Sequence, residues 1–265
     1  MTASIVLADG PGVGKSMATI GLCAAVAALG GRVAPFKAVL VTDDPQASGM
    51  EGHLLAAGLR EDPRVGPVVV RRSAVDCGEA ELMGRRIGAV RLRGRDSVDL
   101  TSLAGRGYQD AHDAVLAALD GLLCTFEHVV LEGAGGLDEL DSATDLPNVL
   151  APRAVDAATY ILTRCPGYYP QARIRSMETV LSAIGTETSG HLLTGCSGSC
   201  RAPSQAGLQP LLGHIPLLDR IAPGLPQQIS VASARAYVSA CESAIRGYAP
   251  ALLTRVAPER SYGLS

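Results

Sequence analysis

Apolar residues form two kinds of run along the chain, and the two kinds alternate. Short unbroken runs, such as 4–8 and 128–131, are typical of strands buried on both faces of a sheet. Longer stretches such as 15–29, rich in alanine and leucine and closed by glycines, are typical of helices. This alternation predicts a parallel sheet. The other predicted strands are 32–41, 67–71, 158–163, 191–194 and 211–215, and the other predicted helices are 45–57, 108–123, 171–184 and 230–247.

One segment departs from the alternation. Between residues 72 and 107, arginines are interleaved with glycines, and the only apolar stretch is a short one near 89–90. We interpret this segment as an excursion from a single domain that spans residues 1–265. Its arginines, from 71 to 106, could contact an anionic substrate, because guanidinium groups fork onto carboxylates and phosphates. A solvated surface is the alternative.

The strongest local signal is a glycine-rich loop between the first strand and the first helix. Glycines let successive N–H groups turn toward phosphate oxygens, and the start of the helix adds partial positive charge. Lys15 would contact the β- and γ-phosphates, and the Ser16 hydroxyl would ligate Mg²⁺. The usual pattern has glycine where this chain has Asp9, so the match is to a variant, and a plain connecting turn is the alternative. The predicted nucleotide-binding residues are Gly10, Pro11, Gly12, Val13, Gly14, Lys15 and Ser16.

Together, the loop and the alternation predict an α/β fold with a single, doubly wound P-loop domain: a mostly parallel sheet flanked by helices. A content of 47% hydrophobic and 18% charged residues fits a folded core. The net charge of −3 gives no support to binding of nucleic acid or anionic membrane, and we predict small-molecule partners. We predict no membrane span.

The cysteines indicate a reducing environment. There are seven, an odd number, and no signal peptide precedes them, so we expect a cytoplasmic protein. Cys196 and Cys200 are four residues apart, which is not a zinc-ribbon spacing, and we predict free thiols there.

Several blocks in sequence order resemble cobyric acid synthase and, more distantly, dethiobiotin synthetase. After the loop comes Gly-Arg-Val-Ala-Pro-Phe-Lys-Ala at 31–38, and later His-Val-Val-Leu-Glu-Gly-Ala-Gly-Gly at 128–136. The resemblance runs from about residue 4 to 226. The other matching blocks are 56–58, 67–70, 145–149, 155–157 and 160–162.

The resemblance implies a dethiobiotin synthetase-like fold and a synthetase that uses ATP and Mg²⁺. In such enzymes a carboxylate, or a carbamate, is phosphorylated and then captured by a nitrogen nucleophile. Carried over to this sequence, Lys15 and Ser16 bind phosphate and Mg²⁺, Lys37 stabilises the transferring phosphate, and Glu132 is a second metal contact. Phosphoryl transfer needs cations and a held Mg²⁺ around the phosphate oxygens, so these residue types suit the chemistry. The resemblance also implies a homodimer.

Each role has a simpler alternative. Lys37 could be a solvated lysine at a strand end, and Glu132 could cap the glycine-rich segment that follows it. Asp43 and Asp44 follow the second predicted strand. We predict Asp44 as a further metal ligand, although an Asp-Asp-Pro turn explains the same residues.

The sequence departs from the family in three places. No glutaminase domain follows, so we expect ammonia from a separate glutaminase, or an amine as the nucleophile. Arg-Cys-Pro-Gly-Tyr-Tyr at 164–169 replaces acidic residues of the family, which indicates a changed substrate. Thr-Gly-Cys at 194–196 replaces an Asn that helps to read the purine, so CTP and GTP remain open alongside ATP.

Two other functions remain open. A regulatory ATPase switch of the partitioning type shares the P-loop, but it carries an extra lysine early in the loop, where this chain has Gly10. A small-molecule kinase would stop after phosphoryl transfer. The residues together favour an ATP- and Mg²⁺-dependent ligase that forms a C–N bond on a small-molecule carboxylate.

Overall fold

The chain forms two β-sheets with helices packed against them. The computed structural model describes residues 1–8, 10, 12–43, 49–94, 97–137, 143–195, 211–215, 231–247 and 249. The strands are β1 Thr2–Ala8, β2 Val33–Phe36, β3 Val39–Thr42, β4 Val68–Arg72, β5 Cys77–Leu82, β6 Arg85–Leu92, β7 Val98–Asp99, β8 His128–Glu132, β9 Ala158–Arg164, β10 Thr188–Thr194 and β11 Leu211–Ile215. The helices are α1 Lys15–Ala28, α2 Glu51–Ala56, α3 Gly107–Thr125, α4 Ala151–Ala154, α5 Gln171–Ala183 and α6 Val231–Ile245.

The main sheet has six parallel strands in the order β11-β10-β9-β1-β8-β2. From β1 the chain crosses to β2 at one edge, whereas from β9 it continues to β10 and β11 at the other. The direction of winding therefore reverses between β1 and β9. In doubly wound sheets, ligands bind at the carboxyl edge beside such a reversal. The predicted doubly wound, mostly parallel sheet is confirmed.

Both faces of the main sheet are buried, which explains why its strands are unbroken apolar runs. On β1, Ile5 and Leu7 join a core that includes residues of α3 and α5. Val6 and Ala8 point the other way, into a core built with α1 and α6. These two helices are very close, because a Cβ on Gly21 of α1 would lie 2.4 Å from the carbonyl oxygen of Cys241.

The second sheet has the order β3-β4-β5-β6-β7 and accounts for much of the arginine-rich segment. Strands β4 to β7 form an antiparallel meander, so the predicted excursion is a set of regular strands. The pattern was hidden because small residues face inward and charged residues face outward. Four arginines between residues 71 and 93 pair with carboxylates, which favours the solvated surface over a substrate contact. The pairs are Arg71–Glu81, Arg72–Asp43, Arg86–Glu79 and Arg93–Asp99.

Two predicted boundaries are wrong. The predicted strand 32–41 is two strands in different sheets, broken at Lys37, whose N–H donates to the Val65 carbonyl at 2.8 Å. The run is apolar throughout, so its pattern could not show the break. The predicted helix 45–57 begins at Glu51, since Gly49 has a φ of 71° and a Cβ there would lie 2.5 Å from Leu40 Cδ2. Residues 44–48 lie outside the described residues.

The cysteines of the described residues differ in state. Cys165 is disulfide-bonded, and the prediction for Cys196 and Cys200 concerns residues outside the described ranges. Burial raises the pKa of the Cys23 thiol well above its usual range, and the negative charge of Glu132 raises it further. Within the described part of the chain, no helix is long and apolar enough to cross a membrane. Among the described cysteines, those that form no disulfide are Cys23, Cys77, Cys124 and Cys241.

Candidate functional site

The glycine-rich loop connects β1 to α1 at the carboxyl edge of the main sheet. Gly12 has a φ of 71° and Gly14 a φ of 111°, a left-handed backbone that favours glycine. Gly14 stands at the start of α1, and the first turn of that helix contains no acidic residue. The helix therefore presents its positive end toward the loop. Gly10 and Val13 lie in the same loop, and Pro11 lies outside the described residues.

Two neighbouring strands hold this loop in place. The Thr194 hydroxyl, at the end of β10, donates a hydrogen bond to the Val13 carbonyl at 2.9 Å. The Cys165 N–H, just after β9, donates to the Thr194 carbonyl at 2.8 Å. Thr194 thus helps to position the glycine-rich loop. In the sequence this residue stood out only because it replaces a residue that helps to read the purine.

A buried carboxylate lies at the centre of the site. Glu132 ends β8, between β1 and β2, and is 3% exposed. Ser16 Oγ, in the first turn of α1, donates to Glu132 Oε1 at 2.7 Å. Lys37 Nζ, just beyond β2, donates to the same oxygen at 2.9 Å. The three residues predicted from separate parts of the sequence therefore meet.

His53 completes this cluster and was not predicted. Its Nε2 lies 2.7 Å from Glu132 Oε2, and its side chain is buried on α2. A lone histidine in an apolar helix gave no sign of function, and it is 79 residues from Glu132 in sequence. Every oxygen of the carboxylate thus has a donor, a requirement for a buried charge.

The surroundings keep Glu132 ionised. Burial alone raises the pKa of the carboxyl group, because it disfavours the charged form. The charges of Lys37 and His53 and the hydrogen bonds from His53 and Ser16 outweigh burial, and hold the pKa of Glu132 well below its usual range. Glu132 therefore places an ionised carboxylate, which can only accept hydrogen bonds, next to the glycine-rich loop.

This lowered pKa predicts an acid-dependent contribution to stability. At pH 7, we expect Glu132→Gln to lower the free energy of unfolding by about 3 kcal/mol, as for a broken buried ion pair. Below the ordinary glutamate pKa of about 4.3, the unfolded chain takes up a proton that folded Glu132 does not. The difference between wild type and variant should then shrink by about 1.4 kcal/mol per pH unit. Urea titrations of wild type and Glu132→Gln between pH 7 and pH 3 measure the two free energies of unfolding. A difference that stays constant with pH would contradict the lowered pKa of Glu132.

Lys15 points at the loop that follows β8. Its Nζ donates to the Gly135 carbonyl at 2.5 Å, and the residue is 8% exposed. That loop is fixed by Asn148, whose side-chain amide donates to the Ala134 carbonyl at 2.8 Å and accepts from its N–H at 2.9 Å. A Cβ on Gly133 would lie 2.5 Å from Asn148 Oδ1, so glycine is required there. Lys15 thus connects the glycine-rich loop to the loop that follows β8.

The use of lysine in this chain is itself a signal. The sequence has 23 basic side chains, but only two are lysines, Lys15 and Lys37. Both lie in the site, and every other cationic side chain is an arginine. A lysine ammonium is a compact point charge that can enter between phosphate oxygens, whereas a guanidinium is a broad plane. This restriction to two positions could have pointed to the site from sequence alone.

Of the two aspartates that follow the second predicted strand, the structure describes only the first. Asp43 Oδ1 accepts from Arg72 Nε at 2.8 Å on an exposed part of the second sheet. Asp44 lies outside the described residues, so its predicted role as a metal ligand stays a prediction.

Comparison with known proteins agrees with the resemblance predicted from the residues. A cobyric acid synthase of Saccharopolyspora erythraea is 34% identical over 164 residues, which are 58% of this chain and 30% of that protein. One of Rhodobacter capsulatus is 27% identical over 75% of this chain and 41% of that protein. The chain is similar to cobyric acid synthases. This chain therefore matches less than half of the length of these two cobyric acid synthases. No family model matches the chain.

A solved structure supports the fold. The septum site-determining protein MinD of Pyrococcus horikoshii OT3, complexed with Mg-ADP, matches with a TM-score of 0.50. The match covers 96% of this chain and 97% of that one at 14% sequence identity. At this identity the likeness concerns the fold alone, which is that of a P-loop protein.

Proposed function

We propose that the chain uses ATP and Mg²⁺ to phosphorylate a carboxylate, or a carbamate, of a small molecule, which a nitrogen nucleophile then captures. The observation that carries this proposal is the convergence of Ser16, Lys37 and His53 on the ionised, buried Glu132. This cluster adjoins a glycine loop with a lysine, Lys15, at its base. The similarity to cobyric acid synthases adds support.

The residues fit a Mg²⁺–nucleotide complex. Mg²⁺ in phosphate sites commonly takes one or two protein oxygens and completes its shell with phosphate and water. Ser16 Oγ and Glu132 supply such oxygens, since they are 2.7 Å apart next to the loop. When bound, Mg²⁺ neutralises charge on the phosphate oxygens.

The protein's own cations perform the rest of the proposed first step. An oxygen of the substrate carboxylate attacks the γ-phosphorus, the bond to the bridging oxygen breaks, and ADP leaves. Lys15 and the N–H groups of the loop bind the phosphates, and Lys37 places a second ammonium beside Glu132. Because Glu132 stays ionised, it fixes Lys37 and Ser16 rather than taking up a proton.

In the second step, nitrogen attacks the carbonyl carbon of the acyl phosphate and inorganic phosphate leaves. The nitrogen loses a proton, so a C–N bond replaces the acyl–oxygen bond. The nucleophile is ammonia, from a separate glutaminase or from solution, or an amine. A homodimer, a cytoplasmic location and a single domain over residues 1–265 belong to the same proposal.

The experiment that tests the function is a screen for ADP formation. Purified chain with Mg²⁺ and ATP is supplied with carboxylates, each with and without ammonium, and ADP release is followed. Hydroxylamine is added in parallel to trap an acyl phosphate as a hydroxamate. GTP and CTP replace ATP in matched reactions. We expect ADP and hydroxamate to form only when a carboxylate is present.

The other outcomes separate the alternatives. ADP release without any small molecule would favour a regulatory ATPase. ADP release that depends on the added carboxylate compound but gives no hydroxamate would favour a kinase that phosphorylates another group of that compound. Either result would contradict the ligase proposal.

A further inference from the structure

An arginine from outside the phosphate loop lies over the start of that loop. Arg173 is in the first turn of α5, and its Nη2 lies 3.9 Å from the position that a Cβ would occupy on Gly10. Its side chain is exposed, whereas the next residue, Ile174, is fully buried. α5 therefore anchors itself on the core through Ile174 and presents Arg173 to the nucleotide loop.

The placement of Arg173 follows from the main sheet. α5 follows β9, the neighbour of β1 opposite β8, after a turn in which Gly167 has a φ of 98°. That turn is tied to the phosphate loop through the hydrogen bonds of Cys165 to Thr194 and of Thr194 to Val13. The Ile174 N–H donates to the Pro170 carbonyl at 3.1 Å and closes the first turn of the helix. The guanidinium and the loop thus lie at the same edge of the sheet, and hydrogen bonds connect the elements that carry them.

The chemistry of the loop explains why a cation is useful there. Gly10 has no side chain, and Lys15 enters from the opposite end of the loop, toward Gly135. The first turn of α5 contains no acidic residue, so its positive end adds to the charge of Arg173. Arg173 also lines an open depression of about 800 Å³, which is formed by the turn after β9 and the start of α5 and is lined as well by Arg164 and Tyr168. A guanidinium stays charged at every physiological pH and can contact two phosphate oxygens at once.

We infer that Arg173 is a catalytic residue supplied by the same chain, which contacts the terminal phosphate of the bound triphosphate and stabilises its charge during transfer. The transfer step rests on the proposed function, whereas the contact with the terminal phosphate does not. Arginines that play this part in other P-loop enzymes raise the turnover number by about 10³–10⁵-fold.

The test compares nucleotides that differ in the terminal phosphate. Affinities for Mg²⁺–ADP and for Mg²⁺ with adenylyl imidodiphosphate, a non-hydrolysable ATP analogue, are measured by calorimetry for wild type, Arg173→Gln and Arg173→Lys. We expect Arg173→Gln to weaken binding of the ATP analogue about tenfold, and binding of ADP less than about twofold, since one charge-assisted contact is lost only from the analogue. Arg173→Lys should recover part of the loss. Arg85→Gln, which removes an exposed arginine of the second sheet, is the control and should match wild type for both nucleotides.

Kinetics provide the second measurement. With a carboxylate that supports turnover, Arg173→Gln should lower kcat about 10³-fold, whereas KM for ATP should rise only about tenfold. Equal losses for ADP and for the analogue, or wild-type kcat in Arg173→Gln, would overturn the inference while leaving the proposed function in place. If no carboxylate supports ADP formation but the affinity for the analogue still depends on Arg173, the proposed function fails and the phosphate contact stands.

Discussion

Replacement of Lys15 by alanine is expected to slow ADP formation by about 10²–10³-fold, because the charge that develops on the transferring phosphate loses one of the cations proposed to stabilise it. The fold should persist. The backbone turns of the loop depend on Gly12 and Gly14, and Thr194 fixes the loop through the Val13 carbonyl. Initial rates at saturating Mg²⁺ and ATP measure the effect, and circular dichroism checks the fold.

A control for Lys15 has to remove one positive charge elsewhere. Arg60→Ala does so at an exposed position outside the site, and it should retain the wild-type rate. Turnover at the wild-type rate in Lys15→Ala would show that the glycine loop does not bind the reacting phosphates.

Glu132→Gln is expected to raise the Mg²⁺ concentration needed for half-maximal activity by roughly 10–100-fold, the usual cost of removing a partner that orients a metal site. The amide keeps the shape of the side chain but cannot accept from Ser16, Lys37 and His53 as a carboxylate does. Nucleotide affinity without metal should change much less, since the glycine loop is intact. A Mg²⁺ titration of activity measures the first quantity, and binding of ATP in EDTA measures the second.

Glu127→Gln is the matched control for Glu132. Glu127 immediately precedes β8, at the strand end opposite Glu132, and its exposed carboxylate pairs with Arg32. It should leave the Mg²⁺ titration unchanged. An unchanged titration in Glu132→Gln as well would remove Glu132 from the metal site.

The sequence predicted the parts of the site that depend on local pattern. A strand followed by a glycine loop and a helix is contiguous, so Gly14, Lys15 and Ser16 could be placed with their geometry. Glu132 was predicted from the family resemblance, and the parallel sheet places it at the carboxyl edge. Lys37 was found by family resemblance.

The features that the sequence did not predict depend on contacts between distant segments. His53 reaches Glu132 only because α2 packs beside α1, and no local pattern records that packing. Strands β5 to β7 were not predicted, because exposed arginines and the small buried residues Gly78 and Ala80 weaken the apolar alternation. Thr194 and Arg173 act on the phosphate loop from β10 and α5, which are more than 150 residues away in sequence.

The scarcity of lysine has a practical consequence for work on this protein. Among the side chains, reagents that acylate amines find only Lys15 and Lys37. Both side-chain amines are mostly buried, at 8% residue exposure for Lys15 and 17% side-chain exposure for Lys37, and both lie in the candidate site. A fluorophore or a surface tether coupled through a lysine therefore modifies the candidate site, whereas coupling through exposed Cys124 leaves both lysines unmodified.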